Sequence, residues 1–294
     1  MMKQIDMSGK ICLVTGATAG IGLVAARALA EQGATVIGVG RNREKNAAAV
    51  AQIKQQTGNP DIEYLLADLS VQKDVRALAE QIKRKYARLH VLVNNAGALF
   101  LKRQQSADGI EMTFALNHLN YFLLTNLLLE PLKASAQAQS SARIINVSSR
   151  AHVRVAGLNS DDLQNQQGYT GFQAYGQSKL ANVLFTYELA RRLEGTGVTV
   201  NALHPGFVAT RFATNNGWLT RLVRPVLDLF ALSAEEGAQT ILYLATSPEV
   251  EGVTGRYFVE SKAVPSSPAS HDAAAARRLW DISAEMTRLR GMAS

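Results

Sequence analysis

Apolar positions along this chain fall into short continuous runs that alternate with longer stretches of helical spacing. ICLVTG at 11–16 is an apolar run rich in strand formers that ends in a glycine-rich turn. Within 21–32, Ile21, Val24, Ala25, Ala28 and Leu29 recur on one helix face, and Gly33 stands where a left-handed cap would end it. The pattern continues with predicted strands at 34–40, 62–68, 90–97, 143–149, 198–206 and 255–260. Between them it predicts helices at 43–56, 72–87, 108–133, 172–194 and 233–246. Gly58 and Pro60 stop the second helix, and the third begins near Ser70. Asp108 is a candidate cap for the fourth, and Ser233 and Glu236 have capping-box spacing. Strands apolar on both sides, joined through helices, imply an α/β fold: a doubly wound parallel sheet of about seven strands with helices on both faces. No repeat and no Pro/Gly/Ser linker interrupts the middle of the chain, so 1–294 is expected to form a single domain. SSPAS at 266–270 reads as a loop before a C-terminal helical extension around 271–290.

Composition narrows the function classes. The 294 residues are 47% hydrophobic and 19% charged, as in a soluble globular protein. The net charge of +7 raises nucleic-acid binding as a candidate. The cations are scattered, however, with only short clusters such as Lys83-Arg84-Lys85 and no aromatic-interleaved stripe, so no nucleic-acid partner is expected. The single cysteine, Cys12, excludes an intrachain disulfide and, within ICLV, reads as a small core residue. The start MMKQIDMSGK has no signal-peptide core, and no run approaches the roughly 18 apolar residues of a spanning helix. A cytoplasmic location is the expectation. His90, His118, His152, His204 and His271 show no metal-ligand spacing, so no metal is expected.

The turn TGATAGIG at 15–22 carries the first chemical signal. Gly16, Gly20 and Gly22 would let backbone approach a pyrophosphate, and the following helix N-terminus offers free N–H groups. The spacing G-x-x-x-G-x-G also suits a tight turn without a ligand. At the end of the second strand, where an acidic residue would hold the ribose hydroxyls of NAD, the chain has Gly40-Arg41-Asn42-Arg43. Arg41 can instead pair with a 2′-phosphate, which points to NADP over NAD; the alternative is an ordinary surface arginine. Asp68, ending the third strand, and the turn NNAG at 94–97, ending the fourth, fall on the same carboxyl edge of the sheet. Asp68 also suits a capping partner near Leu69 and Ser70. The predicted cofactor cradle comprises Gly16, Thr18, Ala19, Gly20, Ile21 and Gly22 in the turn, with Arg41, Asn42, Asp68, Leu69, Asn95, Ala96 and Gly97 at the strand ends.

A second signal lies in AYGQSKLAN at 174–182, where Tyr175 and Lys179 share a helix face. A phenol is a poor base near neutral pH; an adjacent ammonium stabilises its phenolate. The pair follows a strand that ends in Ser148-Ser149. Together TGATAGIG, NNAG, Asn117, INVSS, YGQSK and HPGFVAT (204–210) resemble the short-chain dehydrogenase/reductase family in order and spacing, from about Gly9 to Glu260. The runs ADGIEMTFALNHLNYFLLTNLLL, RIINVSSRAH, QSKLANVLFTYELARRL and ARRLWDIS are similar to its retinol-dehydrogenase-like branch.

The resemblance implies a Rossmann-like fold and a set of roles. Tyr175 is the general acid in reduction and the base in oxidation. Lys179 holds the nicotinamide ribose and lowers the tyrosine pKa. Ser149 hydrogen-bonds the substrate oxygen, with Ser148 the alternative if strand register differs. Asn117 supports a water relay to Lys179, and Asn94 braces the central strand. Pro205, Gly206, Val208 and Thr210 meet the nicotinamide. Asn120, followed by Tyr121, stands where this branch usually has glycine; this departure bears on substrate preference. The N-terminal membrane-anchoring segment of many retinol dehydrogenases has no counterpart here, which argues against retinol as the physiological substrate.

Trp218, Leu219, Leu222, Val223, Val226, Leu227 and Phe230 recur at near-helical spacing within 211–232, with Pro225 bending the run. This reads as an apolar substrate lid or as a helix packed on the core. Arg221 and Arg224 beside Trp218 leave a weak membrane-surface association open. His118 and His152 are candidates to touch substrate. The expected activity is NADP-dependent hydride exchange with a small lipophilic ketone, aldehyde or alcohol. The alternatives are a non-catalytic NADP-binding redox sensor and an epimerase or dehydratase on the same scaffold. The resemblance also implies a homodimer or homotetramer paired through the helices of Asn117 and Tyr175.

Overall fold

The computed structural model describes residues 5–139, 141–206 and 233–289. The predicted lid at 211–232, and with it Val208 and Thr210, lies outside the described residues. Eight strands form one sheet in the order β3-β2-β1-β4-β5-β6-β7-β8. They are β1 (Ile11–Thr15), β2 (Thr35–Gly40), β3 (Ile62–Leu66), β4 (Val91–Asn94), β5 (Ala142–Val147), β6 (Val198–His204), β7 (Tyr257–Val259) and β8 (Lys262–Val264). The first seven are parallel and β8 returns antiparallel to β7. The sequence pattern missed β8 because its three residues are all exposed and show no alternation.

Helices α1 (Gly20–Glu31), α2 (Arg43–Thr57), α3 (Gln72–Lys85), α4 (Met112–Phe114), α5 (Asn120–Leu127), α6 (Leu129–Gln139), α7 (Gly171–Arg192), α8 (Ala234–Thr246) and α9 (Ala273–Met286) connect and cover the sheet. Alternate strand residues serve opposite layers. Leu13, Ile37, Leu92, Ile144 and Val200 pack with Val75, Phe122, Phe185 and Leu189 of α3, α5 and α7. Cys12, Val14, Val36, Val93 and Ile145 pack with Ala25, Leu29 and Ile241 of α1 and α8. Cys12 is fully buried, and burial pushes its thiol pKa up to about 12, so it is an inert core residue.

The predicted caps at Gly58 and Ser233 form. Gly58 has φ 69° and its N–H donates to Lys54 O, while Ser233 and Glu236 make the capping box. The long helix expected at 108–133 is corrected. It starts at Met112, where the buried Glu111 carboxylate accepts from the Thr113 and Phe114 N–H groups at 2.8 Å each. Asp108 is not its cap. The chain turns back between Ser106 and Ile110, and the Asp108 carboxylate accepts from Gln72 N at the start of α3 instead. A π-helical turn at Ala115–Leu119 and a break at Leu128 divide the remainder. Helix α3 starts at Gln72, with Val71 in the cap position, two residues after Ser70.

Helix α9 is the predicted C-terminal extension. It lies across the outer sides of α5 and α7, with Trp280 against Phe122 and Phe185. Its end is held to α3 by Gln72 Nε2 donating to Met286 O and by Arg76 donating to Thr287 O. Residues 120–126 of α5 are all buried, packed among the sheet, α3 and α7. No helix among the described residues is long and apolar enough to cross a membrane.

Candidate active site

Strand order reverses between β1 and β4, so their carboxyl ends flank a crevice, the usual ligand position in such sheets. Thr15 ties the two ends together. Its hydroxyl donates to Val93 O and accepts from Asn95 N and Ala96 N at 2.8 and 3.0 Å. Asn95 Nδ2 donates to Thr15 O at 2.8 Å. The glycine turn then passes against this clamp. Gly16 has φ 67° and Gly20 φ 56°. A Cβ on Gly22 would stand 2.4 Å from Gly16 O and 2.5 Å from Asn95 Nδ2. Such a cradle at the start of α1 fits a pyrophosphate, because backbone N–H groups can reach the ligand only where side chains are missing. Gly22→Ala is expected to push the turn out of place and raise the dissociation constant of a nicotinamide dinucleotide at least about tenfold. A titration of protein fluorescence with NADPH checks this; an unchanged constant would count against the cradle.

The strand ends carry the other predicted cofactor residues. Arg41 is exposed and has no hydrogen-bond or ion-pair partner among the described residues. Asn42 caps α2 by accepting from Lys45 N at 2.8 Å. Asn46 Nδ2 donates to Gly40 O and Leu65 O, which fixes the ends of β2 and β3. Asp68 sits two residues past β3, and its carboxylate accepts from Ser70 N and Ser70 Oγ at 2.9 and 2.7 Å. Asp68 therefore organises the loop beside the crevice. Asn94 braces β4 by donating to Thr125 Oγ1 and Asn146 Oδ1, both at 2.9 Å. Gly206, past the end of β6, has φ 86°. Beside it, burial lowers the His204 pKa to about 4.

Helix α7 delivers Tyr175 and Lys179 to the crevice. Two glycines let it approach the neighbouring loops. A Cβ on Gly171 would meet Phe100 O at 2.4 Å, and one on Gly176 would meet Ala151 O at 3.1 Å. The second contact brings the 150–154 turn, and Ser149 before it, against Tyr175. The structure separates the two serines. Ser148 is buried and its hydroxyl donates to Lys179 O at 2.8 Å, inside the protein. Ser149 hydrogen-bonds the Tyr175 side chain. Burial raises the Tyr175 pKa, and this hydrogen bond opposes the rise. Lys179 is buried, its Nζ donates to Val147 O at 3.0 Å, and burial lowers its pKa to about 7.

Asn117 lies on the π-helical turn opposite. Its amide accepts from Ala98 N at 2.9 Å and donates to Ala98 O and Ser178 Oγ, while its own carbonyl accepts from Asn182 Nδ2. A Cβ on Gly97 would stand 3.1 Å from Asn117 Oδ1 and 3.5 Å from Lys179 Nζ, so Gly97 leaves the room that brings these groups together.

Both histidine candidates are structural. His118 Nδ1 and Nε2 face Asn182 Oδ1 and Ser283 Oγ at 3.2 and 3.1 Å, and burial lowers its pKa to about 4. His152 Nε2 accepts from Ser267 N, so Nδ1 carries the proton and donates to Ser149 O at 2.6 Å. It thereby holds the backbone of Ser149. Sequence reasoning missed the Thr15 clamp and this histidine brace; the placement of Thr15 before Gly16 and of His152 three residues past Ser149 were the available signals. A cleft of about 900 Å³ opens on the opposite, amino edge of the sheet, beside Val198, Gly255 and His271. It contains none of these groups. Among the described residues no cluster of three or more His, Cys, Asp or Glu side chains could hold a metal.

The family described as short chain dehydrogenase matches residues 10–217. Human polyprenol dehydrogenase is 43% identical over 281 residues, covering 95% of this chain and 85% of its own. Mouse retinol dehydrogenase 12 is 42% identical over 283 residues, covering 96% and 88%. Among solved structures, an uncharacterized protein from Mycobacterium paratuberculosis superposes with TM-score 0.77 at 32% identity, covering 97% of this chain and 95% of its own. The Pseudomonas aeruginosa RhlG/NADP active-site complex superposes with TM-score 0.70 at 30% identity, covering 88% and 97%. The chain belongs to the short-chain dehydrogenase family, as a nicotinamide-dependent oxidoreductase that acts on alcohol and carbonyl groups.

Proposed function

We propose that this protein exchanges a hydride between NADP(H) and a lipophilic ketone, aldehyde or alcohol, with Tyr175 as general acid and base. The observation that carries the reading is the convergence of Ser149, Tyr175 and Lys179 beside the Gly16–Gly22 cradle. When bound, the nicotinamide supplies or takes the hydride. The residues that would hold it are the glycine turn, Asn95 to Gly97, Lys179 at the ribose, and Pro205 with Gly206. Ser149 orients the substrate oxygen. In reduction Tyr175 gives its proton to that oxygen; in oxidation it takes the proton back, helped by the Lys179 charge. A phenol raised by burial is fully protonated at neutral pH, which suits the reductive direction.

Arg41 supports NADP over NAD: it is an exposed, unpartnered cation at the end of β2 in place of an acid. Arg41→Ala is expected to weaken NADPH roughly ten- to hundredfold, the value of a charge-assisted contact, with little change for NADH. Dissociation constants for both cofactors test this; equal losses remove the basis for NADP.

A lipophilic substrate is favoured by the rim of the crevice. Leu101, against Gly171 at the start of α7, Phe172 in its first turn, and Val153 in the 150–154 turn are 43%, 68% and 59% exposed. The names of the retinol and polyprenol dehydrogenases point the same way. NADPH consumption across a panel of aldehydes and ketones of rising chain length tests the class; binding without turnover throughout would favour a sensor instead. Helix α9 packs on α7 and reaches Phe122 of α5 through Trp280, so a homodimer or homotetramer paired through these helices would have to accommodate α9.

A further inference from the structure

Lys179 Nζ lies between two phenol rings. The Tyr175 centroid is 5.5 Å away and the Tyr121 centroid 5.7 Å. Tyr121 comes from α5, one turn beyond Asn117, and takes no part in the chemistry described above. It is completely buried, and its hydroxyl has no hydrogen-bond partner among the described residues. Buried phenol hydroxyls are ordinarily satisfied, because a bare one gives up its hydration for nothing. Phenylalanine would fill the same space without that cost. The hydroxyl also lies within electrostatic reach of Tyr175, whose ionisation raises the Tyr121 pKa further above its burial-shifted value.

The other groups around Lys179 leave it short of stabilising partners. From β5 the Val147 carbonyl takes one N–H, and Asn117 Oδ1 is committed to Ala98 N. On α7, Tyr175 is the neighbouring titratable group, and Gly97 presents no side chain. No carboxylate pairs with Lys179 among the described residues. A buried ammonium in that position needs π-faces and lone pairs.

We propose that Tyr121 is a positioning residue that keeps the Lys179 side chain centred and charged. Its ring faces the cation, and its hydroxyl accepts, through a bound water, an N–H that Val147 leaves over. This rests on Tyr175 and Lys179 being the proton-transfer pair. Without the hydroxyl Lys179 releases its proton more easily. The charge beside Tyr175 falls, its phenolate becomes harder to form, and alcohol oxidation needs a higher pH.

The test compares the parent with Tyr121→Phe and Tyr121→Leu, and with Tyr175→Phe as control. Three quantities are measured: kcat/KM for oxidation of a lipophilic primary alcohol by NADP+ between about pH 6 and 9, NADPH affinity across the same range, and Tm without cofactor. In Tyr121→Phe the rising limb of the oxidation profile is expected about half a pH unit higher, and in Tyr121→Leu further still. NADPH affinity is expected to start falling at lower pH, while the Tm of Tyr121→Phe stays at or above the parent's. A Tyr121→Phe profile that superimposes on the parent's overturns the inference. So does a loss by one factor at every pH, which marks packing alone. Activity that survives in Tyr175→Phe overturns the pair assignment itself, whereas an inactive control with an unshifted Tyr121→Phe profile overturns this inference alone.

Discussion

Tyr175→Phe is expected to reduce turnover by roughly 10²–10⁴-fold, the range lost with a positioned acid–base group, and to leave NADPH affinity within about twofold. The substitution deletes one oxygen from a helix whose other contacts are independent of it. Lys179 keeps Val147 O, Ser148 keeps Lys179 O, and Gly171 and Gly176 keep their close approaches. The ring itself stays, so its face toward Lys179 Nζ is retained. What disappears is the hydroxyl that Ser149 hydrogen-bonds, which is the proton donor in the proposed mechanism. Steady-state rates and a fluorescence titration on the same preparation separate the two effects. Turnover close to the parent's would remove Tyr175 from the chemistry.

Trp280→Ala is expected to cost about 3–5 kcal/mol of stability, as for other large aromatics cut to alanine in a core, and to lower Tm on the order of 10 °C. Trp280 is 8% exposed. Its ring meets Phe122 at 4.9 Å, Phe185 at 5.9 Å and the Arg192 guanidinium at 4.1 Å. It is the side chain through which α9 grips both α5 and α7, the helices that carry the residues following Asn117 and the Tyr175–Lys179 pair. Loosening α9 uncovers the face of Phe122 that Trp280 covers, so the variant is also expected to associate further than the parent under the same conditions. Thermal unfolding and sedimentation velocity measure the two consequences. A melt within about 1 °C of the parent's would show that α9 is an ornament on a core that closes without it.

Much of this site was legible because its chemistry is local in sequence. Tyr175 and Lys179 are one helical turn apart, and the glycines of 15–22 need only a strand before them and a helix after them to form a turn. The strand ends were legible for a related reason. In a parallel sheet every carboxyl edge is the same edge, so Asn95, Asp68 and Arg41 could be placed together without knowing any distance. The fourth helix was misread because Asp108 and Glu111 are both sound caps locally. The choice between them was made by Gln72 N, which recruits Asp108 from 36 residues away. The strand β8 was invisible because an exposed edge strand buries nothing and so leaves no pattern.

Sequence alone determined the family, the alternation of the seven parallel strands with helices, the inert state expected of Cys12 and the pair, Tyr175 and Lys179, proposed for proton transfer, all of which depend on spacing and residue type. Tertiary structure separated the two serines, because only packing commits the Ser148 hydroxyl to Lys179 O and leaves Ser149 against Tyr175. It gave each ring nitrogen of His118 and His152 a hydrogen-bond partner within the fold. It placed α9 over the helices expected to pair, and it set Tyr121 beside Lys179. The physical reason is the same in each case. A residue's type states what it can bond, but which bond it makes depends on groups brought to it from distant parts of the chain, and burial makes that choice exclusive.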